Sequence, residues 1–270
     1  MHEQRNSPIG VFDSGVGGLT VLRALERVLP GEDFIYFGDT ARLPYGSKSE
    51  QTILRYTFED ALFLLRKDAK FLVVACNSMS SVALPELQRY FRIPVVGVIE
   101  PAARAAVACS GGAGIGIIGT SATIRSNAYQ NAVEELCPGL RTAAAACPLF
   151  VPLAEEDWQD EDPCKAIAKR YLAPFLENPV DTLILGCTHY PLLRKVIGEV
   201  MGPAVTLVDS ADATADTVRE VLAANDLLRS QEVRGATKFY LSDFQEHFRE
   251  IAERILEREL NEVEITQAGI

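Results

Sequence analysis

Hydrophobic positions fall along this chain in two rhythms. Short continuous runs come first: "IGVF" at 9–12, "FIYFG" at 34–38, "FLVVAC" at 71–76 and "PVVGVI" at 94–99. "GIGIIG" at 114–119, "TLILGC" at 182–187 and "VTLVDS" at 205–210 continue the series. Each is too short for a helix, rich in Val and Ile, and closely followed by glycine or polar residues, which predicts strands buried on both faces. Between several of them the spacing turns helical. In "SEQTILRYTFEDALFLLRKDA" the apolar residues Ile53, Leu54, Phe58, Leu62 and Leu65 share a stripe, and Ser49 stands where it can cap the start. Strands alternating with helices imply a doubly wound α/β architecture with mainly parallel sheets.

The runs also repeat as a set. "GVFDSG" at 10–15 aligns with "GIIGTS" at 116–121, and "LVVACNS" at 72–78 aligns with "LILGCTH" at 183–189. "VVGVIE" at 95–100 aligns loosely with "VTLVDS" at 205–210. We therefore expect two similar α/β domains related by a pseudo-twofold axis, with a site between them: about 1–99 joined by about 211–270, and 100–210. The last segment reads as mostly helical with a strand at "KFYLS". "SDFQEHFREIAERILEREL" has Ser242 and Gln245 at capping-box spacing, and the stripe Phe244, Phe248, Ile251, Ile255 and Leu256 is expected to pack on the first domain.

Composition adds limits. With 270 residues, 48% hydrophobic and 23% charged, the chain has ordinary globular composition, and its formal net charge of −11 gives no general attraction for nucleic acid or anionic membrane. No apolar run approaches a bilayer span and the N-terminus lacks a signal-peptide core, so a cytoplasmic protein is expected. The six cysteines are then expected as thiols, and without C-x-x-C no structural zinc or other metal site is expected.

The chemistry sits at strand ends. "VFDSGVGGLTVL", 11–22, matches neither the dinucleotide fingerprint, because Thr20 stands where the last glycine belongs, nor a phosphate-binding P-loop. What remains is a tight turn into a helix N-terminus, suited to a carboxylate. Asp13 beside it suits an ammonium or the steering of a proton. Ligands of open α/β sheets bind beyond the carboxyl ends of strands. Cys76 in "VVACNSMSS" and Cys187 in "ILGCTHYPL" occupy that place in the two halves. The side chains that follow, Asn77–Ser78 and Thr188–His189, can hydrogen-bond a zwitterion. His189 can exchange a proton with a neighbouring thiol, whereas His2 and His247 read as tail and helix-face residues. Cys109, Cys137, Cys147 and Cys164 lack such surroundings and read as structural. Two thiols on opposite walls of a cleft suit stereoinversion by two bases: one takes a proton from carbon and the other delivers one to the opposite face.

These segments together resemble the glutamate racemases of the aspartate/glutamate racemase family. The resemblance runs through "IGVFDSGVGGLTVLRAL", "YFGDTARLPYGSKS", "VVACNS", "PVVGVIEPA", "IGIIGTSATIRSNAY", "CPLFVPLAEE" and "LILGCTHYPLL". It implies cofactor-independent interconversion of L- and D-glutamate, supplying D-glutamate for peptidoglycan, with a homodimer as one assembly it allows. Cys76 and Cys187 would be the catalytic acid–bases, assisted by Asp13 and His189. Asp13–Ser14, Tyr45–Gly46, Asn77–Ser78 and Thr188–His189 would hold the substrate, with Thr120 and Thr123 as further contacts. A glutamate after "FVPL" would contribute, Glu155 being preferred to Glu156. Ser78 departs from the family's usual threonine, keeping the hydroxyl and losing a methyl. No lysine occupies an evident strand-end site for a pyridoxal-type imine. The competing readings are a racemase of another acidic amino acid, a silent amino-acid-binding protein and a thiol redox enzyme. Loss of one cysteine would mark the second, and C-x-x-C the third.

Overall fold

A computed structural model of the chain describes residues 5–230, 233–244, 246–260 and 262–266. Its strands are β1 (Ile9–Asp13), β2 (Phe34–Gly38), β3 (Phe71–Val74), β4 (Val95–Gly97), β5 (Ile115–Gly119), β6 (Thr142–Ala146), β7 (Thr182–Gly186), β8 (Thr206–Asp209), β9 (Thr237–Leu241) and β10 (Val263–Ile265). They form two sheets, one ordered β10-β9-β2-β1-β3-β4 and the other β6-β5-β7-β8. Every ladder among the described residues is parallel. The chain is thus the expected α/β protein with two parallel sheets. All residues of β1 to β5 and of β7 are buried, the cost of covering a parallel sheet on both faces. Within β1 the pleat sends Ile9 and Val11 into one apolar cluster and Phe12 into the cluster on the other face.

The helices are α1 (Leu19–Val28), α2 (Glu50–Arg66), α3 (Asn77–Tyr90), α4 (Ile99–Cys109), α5 (Ser121–Arg125), α6 (Ala128–Leu136), α7 (Phe150–Glu155), α8 (Asp162–Glu177), α9 (Arg194–Met201), α10 (Ala211–Ala224) and α11 (Glu246–Leu256). Ser49 caps α2 by accepting from the Thr52 N–H. The C-terminal segment closes on the first sheet: β9 pairs with β2 from Phe34 opposite Thr237 to Gly38 opposite Leu241. Phe248, Ile251, Ile255 and Leu256 of α11 enter the same core as Val11 and Leu22. No helix among the described residues is long and apolar enough to cross a membrane.

Several expectations change. The fourth apolar run stops as a strand at Gly97, and Ile99 already belongs to α4. β6 and β10 were not foreseen; "TAAAA" and "VEI" are edge strands without the dense Val/Ile signal. Ser242 donates to Asp39 Oδ1 at 2.9 Å and accepts from the Ala41 N–H. Gln245 and His2 lie outside the described residues.

Candidate active site

β1 ends at Asp13, and the chain turns through Ser14–Gly18 into α1. The turn's glycines answer to close approach rather than to phosphate. A Cβ on Gly18 would sit 2.4 Å from the Cβ of Asp13. One on Gly17 would sit 2.3 Å from Thr188 Oγ1 and 2.6 Å from His189 Nδ1, so the missing side chain lets the other half of the chain dock against this turn. Asp13 is fully buried; its Oδ2 accepts from the Gly15 N–H at 2.9 Å, and its Oδ1 has no partner among the described residues. Burial pushes its carboxyl above the usual range, against the pull of His189 and of the Gly15 and Gly18 amides.

Cys76 follows β3 and occupies the N-cap position of α3. Its thiol donates to Ser14 Oγ at 3.6 Å. Burial, and then the Asp13 charge, push this thiol up, so it holds its proton firmly at rest. Cys187 follows β7, and its sulfur lies 3.9 Å from His189 Nδ1. His189 Nε2 lies 3.0 Å from Glu155 Oε1 at the end of α7. Burial alone would lower the imidazole, but the Cys187 sulfur and the Glu155 carboxylate outweigh it and push His189 up to about 10.

Both sulfurs line one cavity of about 40 Å³, Cys76 brought from the first sheet and Cys187 from the second. Ser14, Tyr45, Gly46, Asn77, Ser78, Thr188 and His189 share its wall, as do Leu43, Pro44, Thr120 and Val151. Larger surface grooves, up to about 1020 Å³, contain neither cysteine. Asp13 and Glu155 are absent from that wall; Glu155 reaches it through His189, and Asp13 lies against Cys76. Glu156 is exposed just past α7. Thr123 touches Thr120 rather than the cavity. His247 is exposed on α11, near Glu250. Cys147 and Cys164 are buried apart from the cavity and Cys109 is exposed. No group of three or more metal-ligating side chains assembles among the described residues.

The site's supports were less legible. Tyr45 donates to Asp39 and, at 3.4 Å, to Asp60, while Arg42 pairs with Asp39, Glu59 and Asp60. This buried network holds the Leu43–Gly46 wall. Asp39 directly follows β2 as Asp13 ends β1, which is the signal that could have found it. Across the interface, Gly46 C=O accepts from the Ala122 N–H at 2.9 Å, Ser78 and Thr120 hydroxyls meet at 2.8 Å, and Tyr129 donates to Asn77 Oδ1 at 2.6 Å.

The Asp/Glu/hydantoin racemase family matches residues 9–218. The glutamate racemase of Geobacter metallireducens is 52% identical over 94% of each chain. The crystal structure of the glutamate racemase isoform RacE1 from Bacillus anthracis superposes with a TM-score of 0.93 at 39% identity, covering 97% of this chain and 98% of that one. The glutamate racemase of Francisella tularensis in complex with D-glutamate superposes with a TM-score of 0.92 at 36% identity over 98% of both chains.

Proposed function

The chain belongs to the Asp/Glu/hydantoin racemase family, its activity is the interconversion of L- and D-glutamate, and we propose that Cys76 and Cys187 carry the reaction as paired acid–bases. One observation carries this reading: two cysteines from different sheets line a single enclosed cavity, each beside its own titratable partner. The α-proton of an amino acid is weakly acidic. A thiolate removes it only where water is excluded and donors face the substrate carboxylates, conditions that this buried, amide- and hydroxyl-lined cavity supports.

The protons balance as follows. One sulfur, as thiolate, takes the hydrogen from Cα and becomes a thiol. The electron pair left on carbon delocalises into the α-carboxylate. The other sulfur, as thiol, gives its proton to the opposite face and becomes the thiolate. The enzyme ends with its one thiol proton on the opposite wall, and Asp13 and His189 relay protons that restore the starting form. Both carriers are side chains, so the route asks for no cofactor. Ser14, Tyr45, Gly46, Asn77, Ser78 and Thr188 hold the zwitterion. We read the first sheet with the C-terminal segment as one domain and 100–210 as the other, each bringing one cysteine. Six free cysteines, two of them working thiols, fit a cytoplasmic enzyme. The homodimer allowed by the resemblance is decided by solution mass. The product supplies D-glutamate for peptidoglycan.

Incubation with L-glutamate in deuterated water tests the reading, followed by circular dichroism and mass analysis. Optical activity decays while one deuterium enters at Cα, and either Cys76→Ala or Cys187→Ala stops net inversion. Full turnover by either variant would refute the two-thiol assignment.

A further inference from the structure

Tyr129 is wholly buried near the start of α6, in the half of the chain that carries Cys187. Its ring packs on the residue before that cysteine: a Cβ on Gly186 would lie 3.0 Å from Tyr129 Cε2. Its hydroxyl crosses to the other half and donates to Oδ1 of Asn77, the residue after Cys76, at 2.6 Å. One side chain therefore touches both cysteine-bearing segments. The bond also fixes which end of the Asn77 amide faces the cavity. Oδ1 is taken up by the phenol, and Nδ2 remains buried with no partner among the described residues, in a residue that lines the cavity. Reversing the amide would turn an N–H toward the phenol and leave the phenol hydrogen without that acceptor, so the observed orientation satisfies more groups.

We propose that Tyr129 is a positioning residue for substrate recognition: its hydroxyl locks the Asn77 amide so that Nδ2 is presented to a carboxylate oxygen of the bound amino acid. A buried donor with no protein partner is costly when unpaired, and a ligand that supplies the acceptor recovers that cost on binding. Burial, and then the charges of Cys187 and Asp209, push the phenol up, so it remains a donor throughout the working range. The inference rests on the cavity being the glutamate site. It concerns binding rather than proton transfer, and its test is separate from that of the cysteines.

The test is a double-mutant cycle with Tyr129→Phe, Asn77→Ala and the double variant, measuring kcat and KM for both enantiomers. Tyr129→Phe keeps the ring on Gly186 and removes one neutral hydrogen bond, so KM rises about fivefold with kcat little changed. Because the phenol acts through Asn77, adding Tyr129→Phe to Asn77→Ala raises KM no further. A KM at the parent value in Tyr129→Phe, or additive effects in the double variant, would overturn the assignment. Asn77→Asp supplies a check that is independent of Tyr129 substitution. It keeps the acceptor for the phenol but replaces the donor facing the substrate, so the fold persists while KM rises. Parent KM in a folded Asn77→Asp protein would equally overturn it.

Discussion

Glu155→Gln isolates the charge behind His189 while keeping the side chain's size. The carboxylate oxygen lies 3.0 Å from Nε2. Two unit charges whose centres are about 4 Å apart interact by ~4 kcal/mol at an effective dielectric of ~20. Because the Glu155 side chain is 28% exposed, water screens part of this, leaving roughly 1.5–3 kcal/mol, or about 1–2 pKa units. His189 should therefore fall from about 10 toward the usual imidazole range by that amount. Two readouts follow. The alkaline limb of kcat/KM, followed by circular dichroism from about pH 6 to about pH 11, moves down by about 1–2 units. Stability moves in the same sense. A histidine raised above its unfolded value contributes stability that is fully present below its ordinary value of 6.5 and is lost as pH rises through about 10. In Glu155→Gln the rise is smaller, so the variant melts below the parent by a gap that is full near neutral pH and closes as pH rises toward about 10. The two enantiomers have equal free energy in water, which forces any change in kcat/KM to be identical in both directions; only kcat and KM separately can differ. An alkaline limb that stays in place, with the protein folded, would refute the claim that Glu155 tunes His189.

Gly17→Ala should damage the site without touching a cysteine. The new methyl would fall 2.3 Å from Thr188 Oγ1 and 2.6 Å from His189 Nδ1, both buried, so the second half must back away. Overpacking of this kind costs ~1–3 kcal/mol, and an imidazole displaced by ~1 Å from its sulfur costs on the order of 100-fold in kcat; parent turnover would show that the turn tolerates the side chain. Lys70→Met probes stability alone. Its ammonium, buried at the N-terminal end of β3, the opposite end of that strand from Cys76, binds Glu32 at 2.5 Å and the Arg5 and Leu227 carbonyls at 2.6 and 2.9 Å. Removing one partner of a buried pair costs ~3–5 kcal/mol and should lower the melting temperature by about 10 °C, with kcat/KM of the folded protein unchanged. A melting temperature equal to the parent's would contradict that.

The strands of this fold could be read from sequence wherever burial on both faces forced an unbroken apolar run, as at "FIYFG" and "TLILG". β6 escaped because alanine carries little strand signal and its burial is partial. At the site, the cysteines and the residues beside them were legible because a strand end followed by a polar pair is a local pattern. Tyr129 was not. Inside "NAYQNAVEEL" it is one more apolar position on a helix face, and only the docking of α6 against α3 turns its hydroxyl toward Asn77. The contact of Ser242 with Asp39, 203 residues away in sequence, was hidden for the same reason.

The two halves match in topology but not in electrostatics, and that mismatch governs how the cycle resets. Cys76 stands beside a buried carboxyl whose charge opposes a second negative charge on sulfur. Cys187 stands beside an imidazole that Glu155 helps keep protonated. The Cys76 wall therefore opposes charge on its sulfur, and the two walls are not interchangeable. Under the two-thiol proposal, turnover in one sense ends with charge on Cys76, where burial and Asp13 oppose it, and turnover in the other sense begins from that form. Because the equilibrium constant for enantiomers is unity, this asymmetry cannot appear in kcat/KM. If, as proposed, the two thiols carry the reaction, it must appear as unequal kcat and KM for L- and D-glutamate.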